Sequence, residues 1–204
     1  MKIQKKHITG YILAGGKSSR MGQDKGHLLL ADLPMTAHII RQMNVCVDEI
    51  IIVSGHASYH NYNISVIPDI IPNVGPVGGI FTALSHSCTP FNLIVSCDTP
   101  FITSEAITHL IRHAKHNAIS FASVNHQKHP LFGLYPTHAK HHFRNQIENN
   151  QIRLQKAIEN FPYVEIKMDE WAQEFDIFRN INTPEDYLQA KKILKYENIH
   201  TGIW

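Results

Sequence analysis

The chain has 204 residues and a formal net charge of +2, from 19 Lys and Arg against 17 Asp and Glu. Hydrophobic residues make up 43% of the chain and charged residues 18%, which supplies a core and excludes a disordered, collagen-like or coiled-coil chain. The nearly balanced charge also excludes a large nucleic-acid-binding surface, because such surfaces are strongly basic. We expect one domain over residues 1–204, with an ordered core over 8–194 and a loose tail over 196–204.

The sequence predicts a cytoplasmic protein with no membrane partner. No apolar run approaches the roughly 18 residues of a membrane-spanning helix, and the basic N-terminus lacks the apolar segment of a signal peptide. Cys46, Cys88 and Cys97 are too few and too irregularly spaced for a disulfide framework or a zinc site. The mild charge and the lack of an evident interface stripe predict a monomer.

Short apolar runs alternate with segments of helical period along the first half of the chain. That pattern predicts an α/β domain with a mainly parallel sheet. The predicted strands cover residues 8–14, 49–54, 66–68 and 91–96, and the predicted helices cover 35–44, 78–87 and 104–115.

The second half of the chain predicts a different strand connection. Strands are expected over 120–124 and 131–136, and the six residues between them are too few for a parallel crossover, so we expect an antiparallel pair. The last helix begins with Thr183 as its N-cap and Pro184 at its first position.

The loop after the first strand carries the strongest functional pattern. Glycines let backbone amides approach an anion closely, and Lys17, Arg20 and Lys25 add positive charge around the same point. A triphosphate is the expected ligand. The loop is not a P-loop, because the first glycine of that motif would fall at Tyr11, inside the strand.

Two aspartates follow predicted strands. Asp98 comes after a buried strand, at the edge where open α/β sheets bind ligands. Because Mg²⁺ prefers oxygen ligands and keeps several waters, one carboxylate is enough to hold it, and we expect Asp98 to be that ligand. Asp69 occupies a comparable strand end. A plain turn is the alternative for both residues.

The segment LAGGKSSRMGQDK at residues 13–25 resembles the signature of the Rossmann-like nucleotidyltransferases, most closely the molybdenum cofactor guanylyltransferases of the MobA type. Further segments follow in that family's order, and the resemblance covers about residues 8–194. These segments are PD at 68–69, GPVGG at 75–79, SCDTPF at 96–101, HPLFGLY at 129–135 and NINTPED at 180–186.

The resemblance implies a three-layer α/β/α Rossmann-like fold of the nucleotide-diphospho-sugar-transferase type, with an antiparallel strand late in the chain. It also implies an Mg²⁺-dependent enzyme that transfers GMP from GTP to the terminal phosphate of Mo-molybdopterin. The products would be pyrophosphate and molybdopterin guanine dinucleotide. Transient contact with cofactor-delivery proteins or molybdoenzymes is expected.

The resemblance also implies roles for individual residues. Lys25, Arg20 and Asp98 are expected to take part in the transfer, with Arg20 and Lys17 near the pyrophosphate and Asp98 on the metal. Asn182 would ligate magnesium or contact the pterin, unless it only begins the helix that follows. The remaining nucleotide-binding residues would be Leu13, Ala14, Gly15, Gly16, Asp69, Gly78 and Gly79, the last two facing the guanine base unless they only form a helix start.

Two other functions stay open on the sequence alone. A related cytidylyltransferase would use CTP on a pterin or on a sugar or polyol phosphate, although such relatives usually read LAAG rather than LAGG. The other alternative is a non-catalytic adaptor that binds nucleotides. Such a protein would be expected to have lost Lys25 or Asp98, and both residues are present here.

Overall fold

The fold is built on one seven-stranded, mostly parallel sheet. The computed structural model describes residues 2–15, 25–172 and 176–200, with the backbone alone described at 172 and 194–200. The sheet strands are β1 (Ile8–Leu13), β4 (Glu49–Val53), β5 (Ser65–Ile67), β6 (Phe91–Ser96), β7 (Ile119–Val124), β8 (Gln127–Pro136) and β9 (Tyr163–Lys167), and a separate hairpin joins β2 (Leu29–Leu30) to β3 (Leu33–Pro34).

The strand order is β5-β4-β1-β6-β8-β7-β9. The first four of these strands are parallel, β8 is antiparallel to both of its neighbours, and β9 runs parallel to β7. The chain therefore leaves β1 toward β4 and β5 and later returns to place β6 on the other side of β1. Ligands of open α/β sheets bind where the strand order reverses in this way.

Helices cover both faces of the sheet. They are α1 (Met35–Met43), α2 (Pro76–His86), α3 (Ser104–His113), α4 (Lys140–Glu148), α5 (Leu154–Glu159) and α6 (Pro184–His200). Side chains alternate along β1, so Ile12 packs in the core cluster that contains α1 and α3, while Tyr11 packs in the cluster that contains α2, α4 and α5. This arrangement confirms the predicted three-layer α/β/α fold.

The predicted antiparallel pair is confirmed, but its connection is shorter than expected. Strand β8 begins at Gln127, so only Asn125 and His126 separate it from β7, and both have positive φ angles of 47° and 66°. Two such residues form the tight turn that suits a hairpin. The register then shifts after Phe121, where β8 carries extra residues over 130–132.

Several other elements differ from the expectation. The strands and helices predicted in the first half of the chain are present, with ends that move by up to two residues. The β2–β3 hairpin, α5 and β9 were not predicted. Helix α6 continues through 196–200, which were expected to be loose, and residues 201–204 lie outside the described part. Within the described residues, no helix is long and apolar enough to cross a membrane.

Candidate active site

The ends of β1, β4 and β6 form the frame of the candidate site. The Cys97 amide donates to the Leu13 carbonyl at 3.1 Å, and the Ala14 amide donates to the Val53 carbonyl at 2.9 Å. The Ser54 hydroxyl also donates to the Ala14 carbonyl at 3.0 Å. The backbone at 13–14 is therefore fixed from both sides before any ligand binds, and its contact with a nucleotide stays a prediction.

Gly15 and Asp69 lie together at the same edge of the sheet. A Cβ added to Gly15 would lie 3.4 Å from Asp69 Oδ2, which is ordinary contact distance. Burial raises the pKa of the Asp69 carboxyl above its usual range. The amide of the next residue, Ile70, donates to the Thr82 hydroxyl of α2 at 3.0 Å. Asp69 thus lies beside Gly15, the last described residue before the loop that is predicted to bind the triphosphate.

Asp98 lies two residues after the end of β6, the strand next to β1, which ends near Gly15. Its Oδ1 is buried and has no hydrogen-bond partner among the described residues. Burial raises the pKa of this carboxyl, although a hydrogen bond from Ser96 and the positive charge of Lys25 act in the opposite direction. Leaving a buried carboxylate oxygen unpaired is costly. A bound cation would satisfy it, so the structure fits the predicted metal ligand.

Lys25 and Asn182 meet beside Asp98. The Lys25 ammonium donates to Asn182 Oδ1 at 2.6 Å, across 157 residues of sequence, and the Ile181 amide donates to the Asp98 carbonyl at 2.8 Å. Asn182 is itself fixed by the start of α6, because its amide donates to the Asp186 carboxylate at 3.1 Å. Three residues that were predicted separately therefore form one cluster.

Gly78 and Gly79 lie inside the protein rather than on an open surface. A Cβ at Gly78 would lie 3.0 Å from Val74 Cβ, and one at Gly79 would lie 3.2 Å from a methyl group of Leu13. Close packing of α2 against these neighbours accounts for both glycines. The sequence instead predicted that their backbone would face the guanine base. Their contact with guanine stays a prediction.

The family of the chain follows from comparison with known proteins. Residues 10–161 match the family model of the MobA-like NTP transferase domain. This chain belongs to the MobA-like NTP transferase family. A probable molybdenum cofactor guanylyltransferase of Flavobacterium johnsoniae is 34% identical over 180 residues, which are 88% of this chain and 94% of the relative.

Solved structures support the same fold. Molybdopterin-guanine dinucleotide biosynthesis protein A from Archaeoglobus fulgidus superposes with a TM-score of 0.80 at 21% identity, covering 92% of this chain and 99% of its own. A manganese complex of Rv0371C from Mycobacterium tuberculosis has a TM-score of 0.68 at 14% identity, covering 91% of this chain and 98% of its own. The predicted membership in the nucleotidyltransferase family is confirmed.

Nucleotidyltransferases of this family typically need a divalent metal, and Asp98 as its ligand stays a prediction. In the described part of the chain, no three His, Cys, Asp or Glu side chains group closely enough to enclose a metal ion. Magnesium does not require such a cage, because it binds through one or two carboxylates together with substrate phosphates and water. Of the other predicted residues, Gly16, Lys17 and Arg20 lie outside the described residues.

Sequence reasoning missed His27, which stands two residues after Lys25. Its Nδ1 lies 2.9 Å from the Tyr62 hydroxyl and its Nε2 lies 2.8 Å from the Ser58 hydroxyl. The imidazole also stacks on Tyr59 with ring centroids 4.5 Å apart. These contacts fix the backbone that carries Lys25. The only signal in the sequence was that His27 lies close to Lys25. Its contact partners lie 31 or more residues away along the chain, so the sequence alone could not identify them.

Proposed function

We propose that the protein transfers GMP from GTP to the terminal phosphate of Mo-molybdopterin and forms molybdopterin guanine dinucleotide. The cluster of Lys25, Asn182 and Asp98, at the sheet edge where the strand order reverses, carries the proposal. The family, and a relative 34% identical that is named a probable molybdenum cofactor guanylyltransferase, support GTP as donor and molybdopterin as acceptor.

The reaction is a phosphoryl-group substitution. An oxygen of the acceptor phosphate attacks the α-phosphorus of GTP, the bond to the bridging oxygen of the β-phosphate breaks, and pyrophosphate leaves with that electron pair. Most of the catalysis comes from holding the two substrates in line and neutralising their charge. An enzyme of this kind therefore needs positioned cations rather than a nucleophilic side chain.

Lys25 is the described residue best suited to the phosphates. Its partner Asn182 is an amide, so the contact orients the ammonium without cancelling its charge. Asp98 lies on the other side of the cluster, where its buried Oδ1 would hold Mg²⁺. When bound there, Mg²⁺ would neutralise charge on the phosphates.

The remaining roles complete the proposal. Asp69 would bind the nucleotide together with the backbone at the end of β1, at Leu13, Ala14 and Gly15. The loop that follows would surround the pyrophosphate, through Gly16, Lys17 and Arg20. We further propose that the protein acts as a cytoplasmic monomer. It would meet cofactor-delivery proteins or molybdoenzymes transiently.

Nucleotide selectivity tests this proposal directly. GTP, CTP and ATP are titrated separately into the protein by calorimetry with Mg²⁺ present. We expect GTP to bind at least about tenfold more tightly than the other two, a difference of about 1.4 kcal/mol. Preference for CTP would instead indicate a cytidylyltransferase, and binding of none of the three would indicate a protein that has lost the activity.

A further inference from the structure

The segment over residues 176–182 leads into α6 and forms no helix or strand of its own. Its last residue is Asn182, which accepts the hydrogen bond from Lys25. The residue before it, Ile181, donates its amide to the Asp98 carbonyl at 2.8 Å. Because no regular secondary structure holds this segment, its position depends on the contacts that its individual residues make.

Phe178 packs the earlier part of this segment against the sheet. Its side chain is 2% exposed and belongs to the core cluster on the α1 and α3 face. Its ring meets the ring of Phe132 on β8 edge to face, with centroids 5.1 Å apart. Asp176 turns the backbone here, because its carboxylate accepts a hydrogen bond from the Phe178 amide at 2.9 Å. Aromatic pairs of this kind stabilise a contact beyond the area that they bury.

His129 of β8 supplies the second ring of this contact. It pairs with Ala122 of β7, which lies in the same core cluster as Phe178, so both side chains are on one face of the sheet. The imidazole and the Phe178 ring have centroids 4.9 Å apart. Burial lowers the pKa of His129, although the charge of Asp176 acts in the opposite direction. The imidazole is therefore neutral at pH 7 and packs as an uncharged ring.

The distance along the chain from this ring contact to the candidate site is short. Phe178 and Ile181 are three residues apart, and an extended chain of that length spans at most about 10 Å. The Ile181 side chain is fully buried in a cluster that includes Leu28, three residues after Lys25. The segment is thus short enough for a displacement of Phe178 to move Ile181 and the neighbouring Asn182.

We infer that Phe178 and His129 are positioning residues for Lys25. Their ring contact fixes the 176–182 segment, and the segment places the Asn182 amide beside the ammonium. This inference rests on the proposed function, in which Lys25 binds the phosphates of GTP. An ammonium that is already oriented loses less conformational freedom when it binds a phosphate. Loosening the segment therefore weakens GTP binding while every charged side chain of the site stays in the protein.

The variant Phe178→Leu tests the inference, because it removes the ring and keeps an apolar side chain. With Mg²⁺ present, we expect calorimetry to show GTP binding about fivefold weaker than in the wild type. The matched control is Phe143→Leu, a fully buried phenylalanine of α4 on the opposite face of the sheet. It should lower the Tm by a similar amount and change GTP affinity less than about twofold. Similar losses of affinity in both variants would overturn the inference.

Two further comparisons test whether the effect acts through packing and through Lys25. In the Lys25→Ala background, Phe178→Leu should change GTP affinity less than about twofold, because the group that it positions is absent; a further fivefold loss, roughly, would overturn the inference. His129→Phe keeps a ring against Phe178 and should bind GTP like the wild type, whereas His129→Ala should bind it about fivefold more weakly. Equal affinities of the two histidine variants, both lowered or both unchanged, would also overturn the inference.

Hydrogen exchange at the Ile181 amide gives a readout that needs neither GTP nor the acceptor. Its bond to the Asp98 carbonyl should protect it, and Phe178→Leu should raise its exchange rate about tenfold, whereas Phe143→Leu should not. An unchanged rate in Phe178→Leu would overturn the inference. A wild type that transferred no GMP to molybdopterin would leave this readout intact and would count against the proposed function alone.

Discussion

The substitution Asp98→Asn separates the chemistry of the site from its stability. The variant keeps the shape of the side chain and removes its negative charge, so it removes the carboxylate that would hold the metal. Losing one such electrostatic interaction in the transition state costs about 3 kcal/mol. At 25 °C that corresponds to a roughly hundredfold lower kcat/KM.

Stability should respond differently, because burial raises the pKa of Asp98 in the folded protein. At neutral pH the ionised carboxylate is therefore held at a cost, and its Oδ1 has no partner among the described residues. The neutral amide does not carry that cost. We expect the free energy of unfolding of Asp98→Asn at pH 7 to equal or exceed that of the wild type, and a loss of more than about 1 kcal/mol would contradict this reasoning.

The same shift predicts a pH dependence. A group whose pKa is higher in the folded than in the unfolded state adds stability as the pH falls through the folded pKa, and each pKa unit corresponds to about 1.4 kcal/mol. Wild-type protein should therefore gain stability relative to Asp98→Asn as the pH is lowered from 7 toward 4.

Thermal unfolding with a metal chelator, together with initial rates of transfer with Mg²⁺, measures both effects. The control is Asp48→Asn, an exposed aspartate before β4, which should change neither. A variant that loses several degrees of Tm yet keeps its turnover would show that Asp98 is structural, and the assignment of the metal ligand would be refuted.

Two further substitutions address Lys25. Lys25→Ala should weaken GTP binding or slow transfer at least about tenfold, measured by calorimetry and initial rates, because it removes a charged phosphate contact; unchanged values would contradict that contact. His27→Ala should lower kcat/KM for GTP about tenfold, because His27 fixes the backbone that carries Lys25. His60, an exposed residue in the short helix Ala57–Tyr62, provides the control, and His60→Ala should leave kcat/KM unchanged. Equal activity of the two histidine variants would show that His27 does not position Lys25.

The sequence predicted the parallel half of the fold well because its strands are continuous apolar runs. Residues 91–96 are an example, since Phe91–Ser96 is the strand observed. The hairpin connection was predicted as six residues rather than two, because the turn contains no glycine and relies on positive φ at Asn125 and His126. Strand β9 was missed because it lies at the sheet edge and buries only Ile166, so its pattern carries little signal.

The candidate site was predictable as a set of residues but not as an arrangement. Strand ends and glycines identified Asp98, Asp69 and the loop before Lys25. The bond from Lys25 to Asn182 spans 157 positions, and a single sequence contains no information about such a contact.

The most direct test of the proposed function is the transfer reaction itself. Purified protein is incubated with Mo-molybdopterin, Mg²⁺ and equal amounts of GTP and CTP, each labelled at its α-phosphate, and the pterin product is separated and counted. We predict that label from GTP enters a molybdopterin guanine dinucleotide with release of one pyrophosphate per product. Label entering the product from CTP, or no labelled pterin at all, would contradict the assignment.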